Sequence, residues 1–461
     1  MKQLIKTYGI LRSLYHNRAL VIITILGVTV MILDSSLGVY CTPPSKRIIN
    51  IPNSDTFLIY SVIFVLVSIY LLLRAKDLEF MGSGRNKALY FIVMASQILF
   101  FLIFATIYLQ MVTSLGYLNL LVSFVVYITL LLSASFLMIA AIKFFQWFKI
   151  HKNRLVLLYG LVMSSLVVNA LFGFFYFQQI NLSHNDFIKR TSCRAIFGSL
   201  YNVNPELTYQ LKMAYDISAI ISFLLAWIAT VFMLKPYSGI LKNLRFLIIV
   251  SLPMLFFLSR YEAALYYIFS YQATDILTAI RFNTYPYGSE YFELLLNSNL
   301  QLGGIFFALA FIIIGLKISM LNQLKKAIIM SGIGMLFLFG SKDLSPLYYA
   351  SFPPVGVVAV SFMAVGSYLV NTGIFTSARI SSRNSNLRDD LRKRIENDAV
   401  LLRNIATSEN IIDTEKKVKR LMKLTSDSVH KDNLGELSKE EVNHLVHDII
   451  SELKNKSKSP K

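Results

Sequence analysis

Apolar and polar positions alternate along this chain in long blocks. The first block runs from Ala19 to Tyr40, and further stretches of about 18 or more residues with few or no charges follow it. Because a helix rises about 1.5 Å per residue, each block is long enough to cross a hydrocarbon core of roughly 30 Å. The pattern therefore predicts helices that span a lipid bilayer.

Counting these blocks gives the predicted architecture. We expect an all-α polytopic membrane protein with about ten transmembrane helices, or nine or eleven if the seventh or ninth block is re-entrant. The predicted spans are 19–40, 57–73, 88–111, 118–142, 155–178, 213–234, 244–268, 300–316, 324–341 and 352–377.

Charge supports this interpretation and orients the chain. Hydrophobic residues make up 55% of the sequence, charged residues only 15%, and the formal net charge is +19. Lys and Arg concentrate in alternate connections, as they do in cytoplasmic loops of membrane proteins, which predicts that both termini are cytoplasmic. No basic stripe with interleaved aromatic residues accompanies the charge, so we expect no nucleic-acid partner.

A change of composition divides the chain into two parts. Residues 1–378 form the predicted transmembrane domain, and 379–461 form a charged cytoplasmic tail. Within the tail, 387–405 and 438–455 each place apolar residues on one helical face, and the basic start of the tail suits an anionic lipid surface. Two interpretations stay open: the tail helices pack on each other or on a second copy of the chain, or they bind a cytoplasmic protein partner.

Few charged residues interrupt the spans. Asp34 lies in the first span, and Arg260 and Glu262 lie in the seventh. Such residues are costly in a bilayer and are candidates for function, although an interhelical ion pair is the alternative. Arg260 and Glu262 are two positions apart and face different ways on a helix, so Asp34 is the candidate partner of Arg260.

The stretch FGSKDLSPLYYASFPPVGVV, residues 339–358, adds Lys342 and Asp343 to this candidate intramembrane polar site. We expect an outer turn with both charges at the interface; the alternative is a polar segment at membrane depth that protein shields. Pro353 and Pro354 suit the first turn of the last span, because backbone N–H groups in that turn have no acceptor within the helix and their loss costs little.

Three residues in predicted outer loops are candidates for covalent modification. Cys41 and Cys193 lie on the same predicted oxidising face, and a disulfide between them would join the long loop to the first helices. Two unpaired cysteines are the alternative. Asn181 begins the sequence NLS, which matches the short acceptor pattern for N-glycosylation.

Motifs of soluble enzymes do not support a catalytic interpretation. GMLFLFGSK, residues 334–342, has the wrong spacing for a phosphate loop and lies in a predicted span. His444 and His447 stand three apart with Asp448 adjacent, but the sequence fixes no third ligand. We predict no catalytic residues, no metal and no cofactor.

The last span and the tail carry a family resemblance. ASFPPVGVVAVSFMAVGSYLVNTGIFTSA, residues 350–378, followed by Leu387-Arg388 and Leu391-Arg392, resembles the C-terminal region of multi-pass membrane proteins of ammonia-oxidising archaea. Phe352 and Val355 stand where that family has aromatic residues of its Tyr-Pro-Pro-Phe-Gly motif. The resemblance implies an archaeal cell membrane and brings no activity with it.

Three functions are consistent with these features. The first is transport or binding of a small solute, and the second is a membrane sensor or scaffold that signals through its tail. The third, an integral membrane enzyme acting on lipid or glycan, is less favoured because the spans lack paired inward carboxylates or histidines.

Overall fold

A computed structural model of the chain describes most of the predicted transmembrane domain and part of the tail. It describes residues 18–37, 54–79, 84–150, 152–182, 187–189, 205–235, 243–260, 299–317, 322–342, 353–383, 401, 404–414 and 416.

Ten long helices, one for each predicted span, make up most of the described chain, which confirms the all-α class. Eight are long and apolar enough to cross a membrane, and the seventh and eighth carry shorter apolar stretches, Phe246–Leu255 and Gly303–Leu316. In chain order the helices are α1 (Arg18–Leu37), α2 (Ser54–Glu79), α3 (Gly84–Ser114), α4 (Asn119–Ile150), α5 (Arg154–Leu182), α6 (Pro205–Leu234), α7 (Asn243–Arg260), α8 (Asn299–Lys317), α9 (Asn322–Gly340) and α10 (Val357–Arg383).

Two three-residue strands depart from the helical pattern. β1 (Gly116–Leu118) joins α3 to α4 and pairs antiparallel with β2 (Phe187–Lys189), which follows α5. Gly116 lies opposite Lys189 in this pair. The strands therefore connect two loops at the end of the bundle that charge predicts to be outside.

The last two helices form the centre of the bundle. α10 packs against α9 most extensively and also contacts α1, α2, α3 and α4. Every residue from 357 to 374 is buried, although these include Ser361, Ser367, Asn371 and Thr372. A helix with so many hydroxyl and amide groups is poorly suited to face lipid tails, which explains its enclosure by the more apolar helices.

Glycines allow α9 and α10 to approach closely. A Cβ atom at Gly366 would lie 2.7 Å from the backbone nitrogen of Leu338, and one at Gly334 would lie 2.6 Å from that of Val370. Small residues at such crossings bring backbones into direct contact, which is a main source of attraction between helices in a bilayer.

Helix breakers in the seventh and eighth spans do not interrupt the helices. α7 continues through Pro253, and α8 is unbroken from Asn299 to Lys317. In the Gly303-Gly304 pair of α8, a Cβ atom at Gly304 would lie 2.9 Å from the carbonyl oxygen of Leu336. Gly304 therefore serves close packing of α8 on α9.

The last span begins later than the sequence predicts. Pro353 and Pro354 precede α10, which begins at Val357, so they do not occupy its first turn. Gly356 has a φ of 89°, in the left-handed region that favours glycine, and this residue separates the preceding turn from the helix.

A helix from the tail, residues 404–414, packs on the transmembrane domain. The indole nitrogen of Trp147 on α4 donates a hydrogen bond to the carboxylate of Glu409 at 2.8 Å, and the Ser408 hydroxyl donates to the Trp147 carbonyl at 3.2 Å. Lys143 lies 4.0 Å from Glu409, and Ile405, on the predicted apolar face, is buried. The C-terminal end of the predicted tail segment 387–405 therefore packs against the chain's own helices.

α10 extends beyond the predicted domain boundary at 378 and ends at Arg383.

Candidate functional site

Lys342 is a buried cation beside the end of α9. Its side chain is 3% exposed, and its ammonium nitrogen donates a hydrogen bond to the hydroxyl of Ser222 on α6. The same nitrogen lies 5.8 Å from the centre of the Phe339 ring. No carboxylate among the described residues pairs with it, so the charge lies in a protein interior without a described counterion.

The contact with Ser222 places this cation deep in the bundle. Ser222 lies near the middle of the 29-residue span Glu206–Leu234. The Tyr215 hydroxyl, two turns nearer the start of the same span, donates to the Lys342 carbonyl at 2.7 Å. Residues 341 and 342, which follow the end of α9, therefore lie within protein beside the interior of α6.

A polar network continues from Tyr215 to α5. The amide nitrogen of Asn169 donates to the Tyr215 carbonyl at 3.0 Å and to the Ser218 hydroxyl at 2.9 Å. The amide oxygen of Asn169 is buried and has no hydrogen-bond partner in the described part of the chain. The network thus offers an acceptor at Asn169 and a cation at Lys342.

The ammonium group has hydrogen-bonding capacity left over. A lysine ammonium carries three N–H donors, and within the described chain only Ser222 accepts from it. The Ser222 hydroxyl in turn donates to the Ala219 carbonyl at 2.9 Å, so its own hydrogen is already used. Among the described residues, two donors of Lys342 therefore have no acceptor and could bind a group that carries acceptors.

Aromatic side chains form an apolar wall next to this cation. Phe223, Phe257, Phe307 and Phe339 are fully buried and come from α6, α7, α8 and α9 in turn. The Phe223 and Phe257 rings stack with centres 3.7 Å apart, and the Phe307 and Phe339 centres are 4.6 Å apart. A charged head group at Lys342 would therefore have an apolar surface beside it.

Asp34 lies at a separate place, the start of α10. Its carboxylate is buried and accepts a hydrogen bond from the backbone N–H of Ala359 at 2.7 Å, with the N–H groups of Gly356 and Val358 as further partners. These are the unsatisfied donors of a helix N-terminus, which carries partial positive charge. Asp34 therefore caps α10 across the bundle, and the proposed pairing with Arg260 is not needed to explain its burial.

The other predicted polar residues are only partly described. Arg260 ends α7. The side chain of Arg260 lies outside what the structure describes, and so do Glu262 and Asp343. The predicted pairing of Arg260 with Asp34, and a pairing of Lys342 with Asp343, therefore stay predictions.

The predictions of covalent modification stay predictions. Cys41 and Cys193 lie outside the described residues. Asn181 is described near the end of α5; it is buried, and its amide oxygen accepts a hydrogen bond from Asn119 at 2.7 Å. Attachment of a glycan to the amide nitrogen of Asn181 would require this buried side chain to become exposed.

The partners of Lys342 were not predicted from the sequence. Tyr215, Ser218 and Ser222 have spacings of three and four, which place them on one face of α6. That pattern of hydroxyl groups in an apolar span could have predicted a polar face on α6. Asn169 is a single amide in a span, and nothing in the sequence links it to residue 342.

The remaining observations concern metal ligands and similarity to known proteins. Within the described ranges, no group of three or more His, Cys, Asp or Glu side chains is arranged to hold a metal ion. No protein-family model, curated protein or solved structure matches the chain.

Proposed function

We propose that this protein binds and transports a small organic anion across a membrane. The solute's carboxylate or similar group would accept hydrogen bonds from Lys342, and its apolar body would lie along the phenylalanine wall. The observation that carries the proposal is the ammonium of Lys342, buried beside the middle of α6 with two donors that have no acceptor among the described residues. An unpaired charge in such a place is costly, and residues that keep one in a membrane domain usually serve a ligand or ion.

The setting of the transporter is part of the same proposal. Basic inner connections support an orientation with both termini cytoplasmic, and the resemblance of residues 350–378 supports an archaeal cell membrane. The lipid bilayer is the expected surroundings, and no enzymatic step is required.

A binding measurement tests the proposal. We expect benzoate to raise the unfolding temperature of the purified protein, whereas benzamide, which has nearly the same shape and no charge, has no such effect. Ligand at one hundred times its dissociation constant stabilises a protein by about 2.7 kcal/mol. We expect Lys342→Met to abolish the benzoate effect and Lys342→Arg to retain part of it.

A matched variant controls for loss of charge. Lys152→Met removes an exposed lysine that follows α4, and we expect this variant to respond to benzoate as the unaltered protein does. Equal responses of Lys342→Met and Lys152→Met would rule out an anion site at Lys342.

The tail supplies a second candidate function. Residues 404–414 contact Trp147 on α4, and Trp147 contacts Phe375 on α10 with ring centres 5.9 Å apart. Binding or release of the tail helix at Trp147 could therefore report the conformation of α10. We propose this sensor function as the alternative. It predicts that deletion of residues 384–461, which leaves α10 whole, removes the cellular phenotype while benzoate binding is kept.

A further inference from the structure

A cleft lies between the ends of α1, α2 and α9 that charge predicts to be cytoplasmic. Its lining includes Arg74 and Asp77 from α2, Gln323 and Lys326 from α9, and apolar side chains from all three helices. The cleft contains about 600 Å³ of empty space, part of it open to the outside.

The cleft is polar at its rim and apolar at its floor. Arg74, Lys326 and Gln323 are exposed, whereas Ile329 and Met330, one turn further along α9, are buried. Leu20 on α1 is half-buried at the same cleft. This order, from charge to hydrocarbon over one helical turn, matches the order of groups in a phospholipid at the membrane interface.

The two cations of the rim are available to a ligand. The Arg74 Nε donates to the Tyr70 hydroxyl at 3.1 Å, and its guanidinium carbon lies 5.4 Å from the centre of that ring. These contacts hold the side chain, and its other N–H groups have no acceptor among the residues that the structure describes. Asp77 lines the same cleft but pairs with neither Arg74 nor Lys326 among the described side chains. Lys326 lies in the first turns of α9, where the helix N-terminus adds partial positive charge.

We infer that this cleft binds a phosphate group, and that its source is the head group of an anionic phospholipid in the cytoplasmic leaflet. Arg74 and Lys326 contact the phosphate, Gln323 donates to its oxygens, and the acyl chains leave along Leu20 and the floor. Arginine and lysine are the side chains that recognise phosphate most often, and basic pockets between helices on this side of a membrane bind acidic head groups.

The test compares lipids in the full-length protein. Unfolding temperature is measured in detergent micelles with a rising mole fraction of dioleoyl phosphatidylglycerol, with dioleoyl phosphatidylcholine as reference. We expect stabilisation by phosphatidylglycerol alone, because Arg74 and Lys326 would repel the choline cation that phosphatidylcholine carries beside its phosphate. In Arg74→Gln/Lys326→Gln the mole fraction for half-maximal stabilisation should rise about thirtyfold, because each basic residue near an anionic surface contributes roughly a fivefold increase in affinity.

A control variant separates a site from general charge attraction. Lys149→Gln/Lys152→Gln removes two exposed cations from the same predicted side of the membrane, outside the cleft. This variant should keep the response of the unaltered protein. Equal weakening of both double variants, or equal stabilisation by the two lipids, would overturn the inference.

Free phosphate compounds form the last arm of the test. Glycerol phosphate at millimolar concentration should not displace phosphatidylglycerol, because it lacks the chains that occupy the floor. Glycerol phosphate could instead displace phosphatidylglycerol from the unaltered protein but not from the Arg74→Gln/Lys326→Gln variant. That result would support a phosphate site in the cleft and contradict the inference that a lipid supplies the phosphate.

Discussion

At the scale of single residues, Asp34 joins two distant parts of the chain. Its carboxylate, near the end of α1, accepts hydrogen bonds from the first turn of α10. The N–H groups at a helix start have no partner within the helix, and water cannot reach them in a buried position. The carboxylate satisfies these donors and balances the partial positive charge at the end of α10.

Substitution of Asp34 should destabilise the transmembrane domain. We expect Asp34→Ala to lower the free energy of unfolding by about 1–3 kcal/mol, because buried backbone donors lose their acceptor. Asp34→Asn keeps one acceptor oxygen and should lose less. Thermal unfolding in detergent measures both variants, and an Asp34→Ala variant as stable as the unaltered protein would show that the cap does not contribute.

The sequence singled out Asp34 but not the backbone groups that it contacts. A carboxylate in a span points to a buried interaction, and an arginine at similar predicted depth was the obvious candidate. The partners that the structure describes are backbone groups of Gly356, Val358 and Ala359, and backbone donors carry no signature in a sequence. Lys342 was identified for the same reason as Asp34, and its contact with Ser222 depends on the relative placement of α6 and α9.

At the scale of elements, the crossing of α9 and α10 depends on glycine. We expect Gly366→Ala to destabilise the protein by about 1–3 kcal/mol, because its methyl group would meet the backbone of Leu338 and Gly334. Gly160→Ala on α5 is the matched control, since the nearest atom to its added methyl group belongs to the movable side chain of Phe145 at 3.2 Å. Both changes improve helix propensity equally.

Unfolding temperatures of the two glycine variants isolate the packing effect. A fall for Gly366→Ala with no fall for Gly160→Ala is the expected outcome. Similar values for both variants would mean that α9 and α10 are not in backbone contact.

The tail helix gives the second prediction at this scale. Glu409→Ala removes the acceptor of the Trp147 indole N–H and the carboxylate beside Lys143. Hydrogen bonds to charged groups contribute about 1.5–3 kcal/mol, so we expect amide hydrogen exchange in residues 404–414 to become at least about tenfold faster.

A distant acidic residue serves as the control for the tail. Glu206→Ala changes an exposed carboxylate at the start of α6, and exchange in residues 404–414 should not change. Unaltered exchange in Glu409→Ala would contradict the docking of the tail on α4.

At the scale of the whole molecule, the hydropathy pattern predicted most of the fold. Each of the ten predicted spans corresponds to a helix, because a segment without water must satisfy its backbone groups internally. The order of burial was less predictable. α10 is the most enclosed span and not the most apolar one, since its serines and asparagine are excluded from lipid by the helices around it.

Placement of the candidate site follows from this arrangement. Lys342 is buried because α9 ends within the bundle and is packed against α8, α10 and, through residue 342, α6. Hydropathy alone gave no indication of this burial, because it measures the composition of a segment and not the protein that surrounds it. A site built from four or five helices in this way can bind a solute only when all of them are in place.

Flux through the reconstituted protein tests the central claim most directly. Purified protein in proteoliposomes, with a gradient of radiolabelled benzoate, should take up the label faster than empty liposomes and faster than vesicles with Lys342→Met, while Lys152→Met matches the unaltered protein. Uptake that is equal in Lys342→Met and in the unaltered protein would contradict the account.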